Sequence, residues 1–131
     1  MTKLVLPLVT GFGLLALRAC AQEPVAAVPA TIEFNRDVRP ILSGNCFHCH
    51  GPDASHRQGK LRLDGRDDAL AREAFVPGRP DESELVLRIH AIEEDEVMPP
   101  PDSNKRLTAR DKAILRKWIE QGAAYQRHWA Y

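Results

Sequence analysis

Apolar residues in this chain gather into three helix-like clusters separated by long polar stretches. Phe34, Val38, Ile41 and Leu42 recur at helical spacing, and Asn35 is a good N-cap for a first helix. Pro40 has no backbone N–H to give and lies just beyond the positions where that loss is free, so a kink or a start at Pro40 is expected. Ser43-Gly44-Asn45 should then loosen the chain, and Gly51-Pro52 should end the turn that follows. Leu85, Ile89 and Ile92, with Val86 beside them, predict a second helix. Pro80 precedes it, and Asp81 with Glu84 three residues later has the spacing of a capping box. A third helix opens at Thr108, with Asp111 in the reciprocal capping position. Ile114, Leu115, Trp118 and Ile119 form its buried face, Arg110, Lys112, Arg116 and Lys117 lie mostly opposite, and Gly122 suits its stop.

The stretches between these clusters predict loops. Residues 53–80 are polar and carry Gly59, Gly65, Pro77, Gly78 and Pro80, which leaves room for at most one short helix near Arg66–Ala74. Leu61 and Leu63 alternate with Lys60, Arg62 and Asp64, the pattern of a short extended piece. Three successive prolines in Val97-Met98-Pro99-Pro100-Pro101 hold that segment extended. No repeat and no further strand pattern appears, which leaves three main helices and long loops.

The ends read differently. In residues 1–21, Lys3 is a short positive region and Leu4 to Leu17 a mostly apolar one, too short to span a bilayer, so the segment reads as an export signal. Ala19-Cys20-Ala21 offers a cleavage site; Leu17-Arg18-Ala19-Cys20 resembles a lipobox, which would make Cys20 a lipid anchor despite the unusual Arg18. Both readings stay open, and both put the chain across a membrane, in a periplasmic location. Residues 22–31 form an Ala/Pro-rich linker, residues 32–124 the folded domain, and residues 125–131 a tail with three aromatics.

Composition narrows the function classes. The chain has 131 residues, enough for one modest domain with a limited core, which a large apolar cofactor would help to fill. Its formal net charge is zero, so it offers neither the electrostatic footprint of a nucleic-acid binder nor a polybasic membrane patch. Of three cysteines, two stand in Cys46-Phe47-His48-Cys49-His50. This CxxCH pentapeptide is the attachment pattern for c-type haem: two thiols one helical turn apart add to the two vinyl groups of the porphyrin. His50 then lies where an imidazole can bind the iron as proximal ligand. Zinc and redox-dithiol readings of the same residues lack support. No second ligand pair has metal-site spacing, and no βαβ pattern surrounds the cysteines.

A ligand opposite His50 completes a six-coordinate haem. Met98 is the candidate, because the only other methionine, Met1, falls in the signal segment. A thioether favours ferrous iron, and the adjacent prolines would limit its freedom; the plainer reading is an ordinary loop methionine. His48, His56, His90 and His128 compete, each more simply read as a surface or half-buried histidine. Arg57, Lys60 and Arg62 are weak candidates to pair with haem propionates. The acidic run Glu93–Glu96 is either a solvated loop or a surface that steers a basic redox partner. Trp118 reads as core. No nucleophile–base pair, phosphate loop or second CxxCH is present, which points to electron transfer rather than catalysis.

With these residues assembled, the chain resembles a class I cytochrome c domain, and more narrowly the planctomycete-type cytochrome c domain. The matching stretches are 34–43, 45–53, 59–64, 76–85, 98–105 and 115–123, in that order. The resemblance implies an all-α fold around one covalent haem c, with His50 as proximal and Met98 as distal iron ligand. It also implies a redox partner protein or fused domain, because such domains usually stand at the front of longer secreted proteins. Residues 125–131 would then be a truncated linker to a further domain. The alternatives carried alongside are a haem-based sensor, whose Met98 is displaced by a gas, and a metal-binding module.

Overall fold

Pro40 is accommodated by a change of helical pitch. In the computed structural model, which describes residues 27–127, the chain enters its first helical run through a π-turn at Phe34–Val38. Arg39 N–H closes this turn onto the Phe34 carbonyl, and α1 then runs Arg39–Asn45 with Pro40 in its first turn, where its missing N–H costs nothing. Asn35 is therefore not the cap. Glu33 stands at the N-cap with no side-chain cap bond, and the carboxylate of Asp37, held low in pKa mainly by the hydrogen bond from Arg36, accepts the Glu33 N–H at 2.8 Å. Ser43-Gly44-Asn45 does not loosen the chain either. These residues stay in α1, with Asn45 Nδ2 donating to the Ile41 carbonyl at 3.0 Å.

A break at Cys46 separates α1 from the single turn α2, Phe47–His50. Three helices follow: α3, Arg66–Ala71; α4, Glu84–His90; and α5, Ala109–Glu120. Short 3₁₀ turns stand at Pro80–Glu82 and Pro101–Ser103. No strand occurs among the described residues, so the all-α expectation stands and the extended piece at 60–64 does not pair. No helix among them is long and apolar enough to cross a membrane. The signal segment 1–21, Cys20 and His128 lie outside the described residues.

The helix starts show where local chemistry and tertiary contacts compete. Thr108 and Asp111 form the expected reciprocal capping box on α5, at 3.1 and 2.9 Å. Thr108→Ala should cost about 1 kcal/mol, measurable as a lower urea midpoint at unchanged slope. The Asp81–Glu84 box does not form. Asp81 instead makes a fork of hydrogen bonds with Arg116 of α5 at 2.8 and 3.0 Å, and Glu84 pairs with Arg88. Ser83 stands at the N-cap of α4 but turns inward. Fully buried, it accepts from Val76 N–H at 2.9 Å and donates to the Arg79 carbonyl at 2.8 Å.

The core is built on α5. Ile114, Leu115, Trp118 and Ile119 are buried against Phe34, Val38, Ile41, Leu42, Phe75, Val86 and Ile89. Trp118 is its centre: its ring lies 5.7 Å from Phe34, 5.2 Å from Phe75 and 5.3 Å from Tyr125, and its indole N–H donates to the Ala124 carbonyl. Past Gly122, at φ +100°, the Ala123 N–H returns to the Trp118 carbonyl and stops the helix. Tyr125 then stacks on Phe34 at 4.2 Å and donates its hydroxyl to the Leu63 carbonyl, so the start of the tail belongs to the fold. The packed region also reaches back to Val28, within the expected linker. Ile92, expected in the α4 stripe, is 92% exposed because α4 stops at His90 and Ala91 turns extended.

Candidate functional site

Cys46, Cys49 and His50 share one short turn of chain, fixed from both sides. From the N-terminal side, Cys46 N–H bonds the Leu42 carbonyl of α1 at 2.7 Å; within the turn, Cys49 and His50 N–H groups both bond the Cys46 carbonyl. From the C-terminal side the polar loop laces back onto it. Gln58 N–H bonds the Cys49 carbonyl and Leu63 N–H the His50 carbonyl, each at 2.8 Å. A loop that looked structureless by composition is thus the outer wall of the CxxCH turn.

Gly51 ends the turn because nothing larger fits. A Cβ there would run into the Phe47 carbonyl oxygen, inside any tolerated contact. Gly51→Ala should force α2 open and cost about 1–3 kcal/mol. The expected readout is a lowered thermal midpoint together with a reduced yield of haem-bearing protein.

The two thiols are free of any disulfide. Cys46 packs against the core, and burial, helped by the neighbouring Cys49, pushes its thiol up to about 12. A catalytic dithiol needs the opposite, a thiol lowered into the neutral range, so the oxidoreductase reading fails here on chemistry as well as on fold. Burial likewise lowers the pKa of His50, with the Leu61 and Gln58 carbonyls near its ring working against that shift, so the imidazole is neutral and keeps a lone pair to give. Its Nδ1 is buried without a hydrogen-bond partner. Two free thiols, Cys46 and Cys49, and one neutral imidazole on a single turn fit covalent haem c.

Met98 sits on a separate loop. It is half-buried, and it is absent from the set of apolar side chains packed on the core. Its N–H bonds the Arg88 carbonyl at 3.0 Å, the Met98–Pro99 peptide is cis, and Pro99-Pro100 lead into the turn at Pro101. Arg88 is the residue that sequence reading passed over. Its side chain pairs with Glu84 and reaches the Glu96 carbonyl, while its own carbonyl holds Met98. The Glu84/Arg88 spacing of four on a helix was the available signal.

The remaining candidates have other work. His48 is exposed, its ring 5.1 Å from that of His56, which bonds Asp53 at 2.8 Å. His90 is exposed, with Nδ1 at 2.9 Å from the Val86 carbonyl. Arg62 forks onto Asp64, and Arg57 donates to the Gly51 and Pro52 carbonyls, so both brace the loop around the turn. Among the described residues no three or more His, Cys, Asp or Glu side chains are grouped to hold a metal ion, which leaves the zinc reading without a ligand set.

Comparison with known families decides what this turn belongs to. Residues 46–102, from the first thiol through the Met98 loop, match the planctomycete cytochrome C family model. This stretch is similar to planctomycete cytochrome c. Cytochrome c domains of this kind carry covalently bound haem c and generally act in electron transfer rather than catalysis. The match takes in the loop that walls the turn and α4, as well as both candidate ligand segments. No curated protein and no solved structure matches the chain.

Proposed function

We propose that this domain is an exported monohaem cytochrome with a class I-like fold, moving single electrons through one haem c. Cys46 and Cys49 hold the haem covalently, His50 is the proximal iron ligand and Met98 the distal one. The observation that carries the reading is the CxxCH turn itself, with two free thiols and an imidazole whose Nδ1 is buried and unpartnered. Haem c supplies a one-electron iron couple when bound. The chain's own residues do the rest. The loop from Gln58 to Leu63 fixes the His50 ring side, the core behind Cys46 excludes water, and Arg88 with the prolines restrains Met98. Two protein ligands leave no open iron position, so the domain is a carrier and not an enzyme. The signal at 1–21 takes it to the periplasm, soluble or anchored by lipid at Cys20.

Met98→Ala tests the ligand set. The oxidised parent protein should show the near-infrared sulfur-to-iron charge-transfer band, and the variant should lose it, lower its reduction potential and bind carbon monoxide when reduced. A parent protein without that band, or one that binds carbon monoxide in the absence of denaturant, moves the distal ligand elsewhere and favours the sensor alternative.

A further inference from the structure

Two large apolar side chains stand in solvent beside Met98. Leu87 is 53% exposed on the outer face of α4, the face it shares with Glu84 and Arg88, and Ile92 is 92% exposed just past the helix end. Isolated exposed apolar residues need no explanation, but these two flank one small loop that the structure holds firmly. Residues 91–97 leave α4 and return to it. Glu96 and Val97 N–H groups close onto the Glu93 carbonyl, Arg88 Nη1 reaches the Glu96 carbonyl, and Met98 N–H bonds the Arg88 carbonyl. The same closed loop thus carries Ile92 at its start and the candidate distal ligand at its end.

Around Ile92 the charge has one sign. Glu93, Glu94, Asp95 and Glu96 follow it directly, all exposed and none in a salt bridge among the described residues. Arg88 is bonded to Glu84 and attracts Glu96 and Asp95 only through space. Four exposed carboxylates in succession on one loop, with only Arg88 shown to attract two of them, contrast with a chain of zero net charge. An apolar centre with a one-sided acidic rim selects a partner with an apolar centre and a basic rim. It disfavours a second copy of this chain, which would bring acid against acid.

We propose that Leu87 and Ile92, rimmed by Glu93–Glu96, form the docking face for a basic redox protein that exchanges electrons with this domain. The proposal rests on the electron-transfer reading above. In each encounter one electron leaves the reduced domain, and the oxidised partner accepts it.

The test uses the haem-bearing protein in its reduced form, mixed in a stopped-flow instrument with an oxidised monohaem cytochrome of strongly positive net charge. Small cationic and anionic metal complexes serve as control oxidants. The rate with the basic protein should fall steeply as salt is added. Replacing Glu93, Glu94 and Glu96 by Gln and Asp95 by Asn should lower it about tenfold at low salt and flatten the salt dependence. Leu87→Ser with Ile92→Ser should slow it at every salt concentration while keeping that dependence, with the haem spectrum unchanged. Equal rates for parent and variants overturn the proposal. A changed haem spectrum in the Ser variant also overturns it, by placing these side chains against the haem, and so does parent dimerisation that the Ser variant abolishes. If none of the oxidants, small complexes included, takes an electron from the parent protein, the electron-transfer reading itself fails, and the docking proposal falls with it.

Discussion

Protein carrying Cys46→Ala and Cys49→Ala, matured beside a c-type cytochrome assembly system, should lose all of its haem to acid–acetone extraction. Each single variant should keep a fraction of the haem through one remaining bond, with a shifted spectrum from the unsaturated vinyl group. The expectation follows from the site's chemistry. Haem held only by axial ligands leaves when acid protonates His50, whereas a thioether bond does not break under acid. Cys46 and Cys49 stand on a turn whose backbone is bonded to α1 on one side and to the Gln58–Leu63 loop on the other, so neither thiol is replaced by another side chain. His50→Ala with both cysteines intact separates the two contributions: extraction leaves the haem on the protein, but the proximal ligation is lost.

The second large effect is on folding. Trp118→Ala should cost about 3–5 kcal/mol. That is a large part of the roughly 5–15 kcal/mol available to a domain of this kind. The indole is buried at the meeting point of Phe34, Phe75 and Tyr125, three rings from three separate segments, and its N–H satisfies the Ala124 carbonyl. Truncation removes the transfer energy of the ring, leaves a cavity among stiff aromatic neighbours and orphans a carbonyl. The thermal midpoint of the haem-bearing protein should drop by roughly 15–30 °C. Trp118→Phe, which retains the ring packing, should lose much less. A loss as small as that of Thr108→Ala would mean the aromatic cluster is not the centre of the fold.

How much of this was legible in the sequence differs element by element. α5 was legible in full, because its cap, apolar face and stop are all local: Thr108 with Asp111, the Ile114–Ile119 stripe, and Gly122 at positive φ. The first helix was legible in its apolar spacing but not in its pitch. A π-turn that absorbs Pro40 depends on Asp37 bonding back to Glu33, a choice that helical periodicity does not encode. The capping box at Asp81 failed because Arg116, distant in sequence, offers Asp81 a better partner than the backbone does, while Ser83 is drawn into the core. The three attachment residues were legible from spacing alone, since CxxCH is a local pattern. The wall around them was not. Gln58 and Leu63 hold the turn through backbone groups, which are the same in every residue, so no residue type marked them. Arg88 escaped notice for a related reason: half of its role is played by its carbonyl.

One measurement tests the central claim most directly, the absorption spectrum of protein matured in the periplasm, recorded in both oxidation states into the near infrared. The account predicts a c-type spectrum that survives acid–acetone treatment, with the sulfur-to-iron band present in the oxidised form. A colourless protein, or one whose haem is extracted with Cys46 and Cys49 intact, would contradict it.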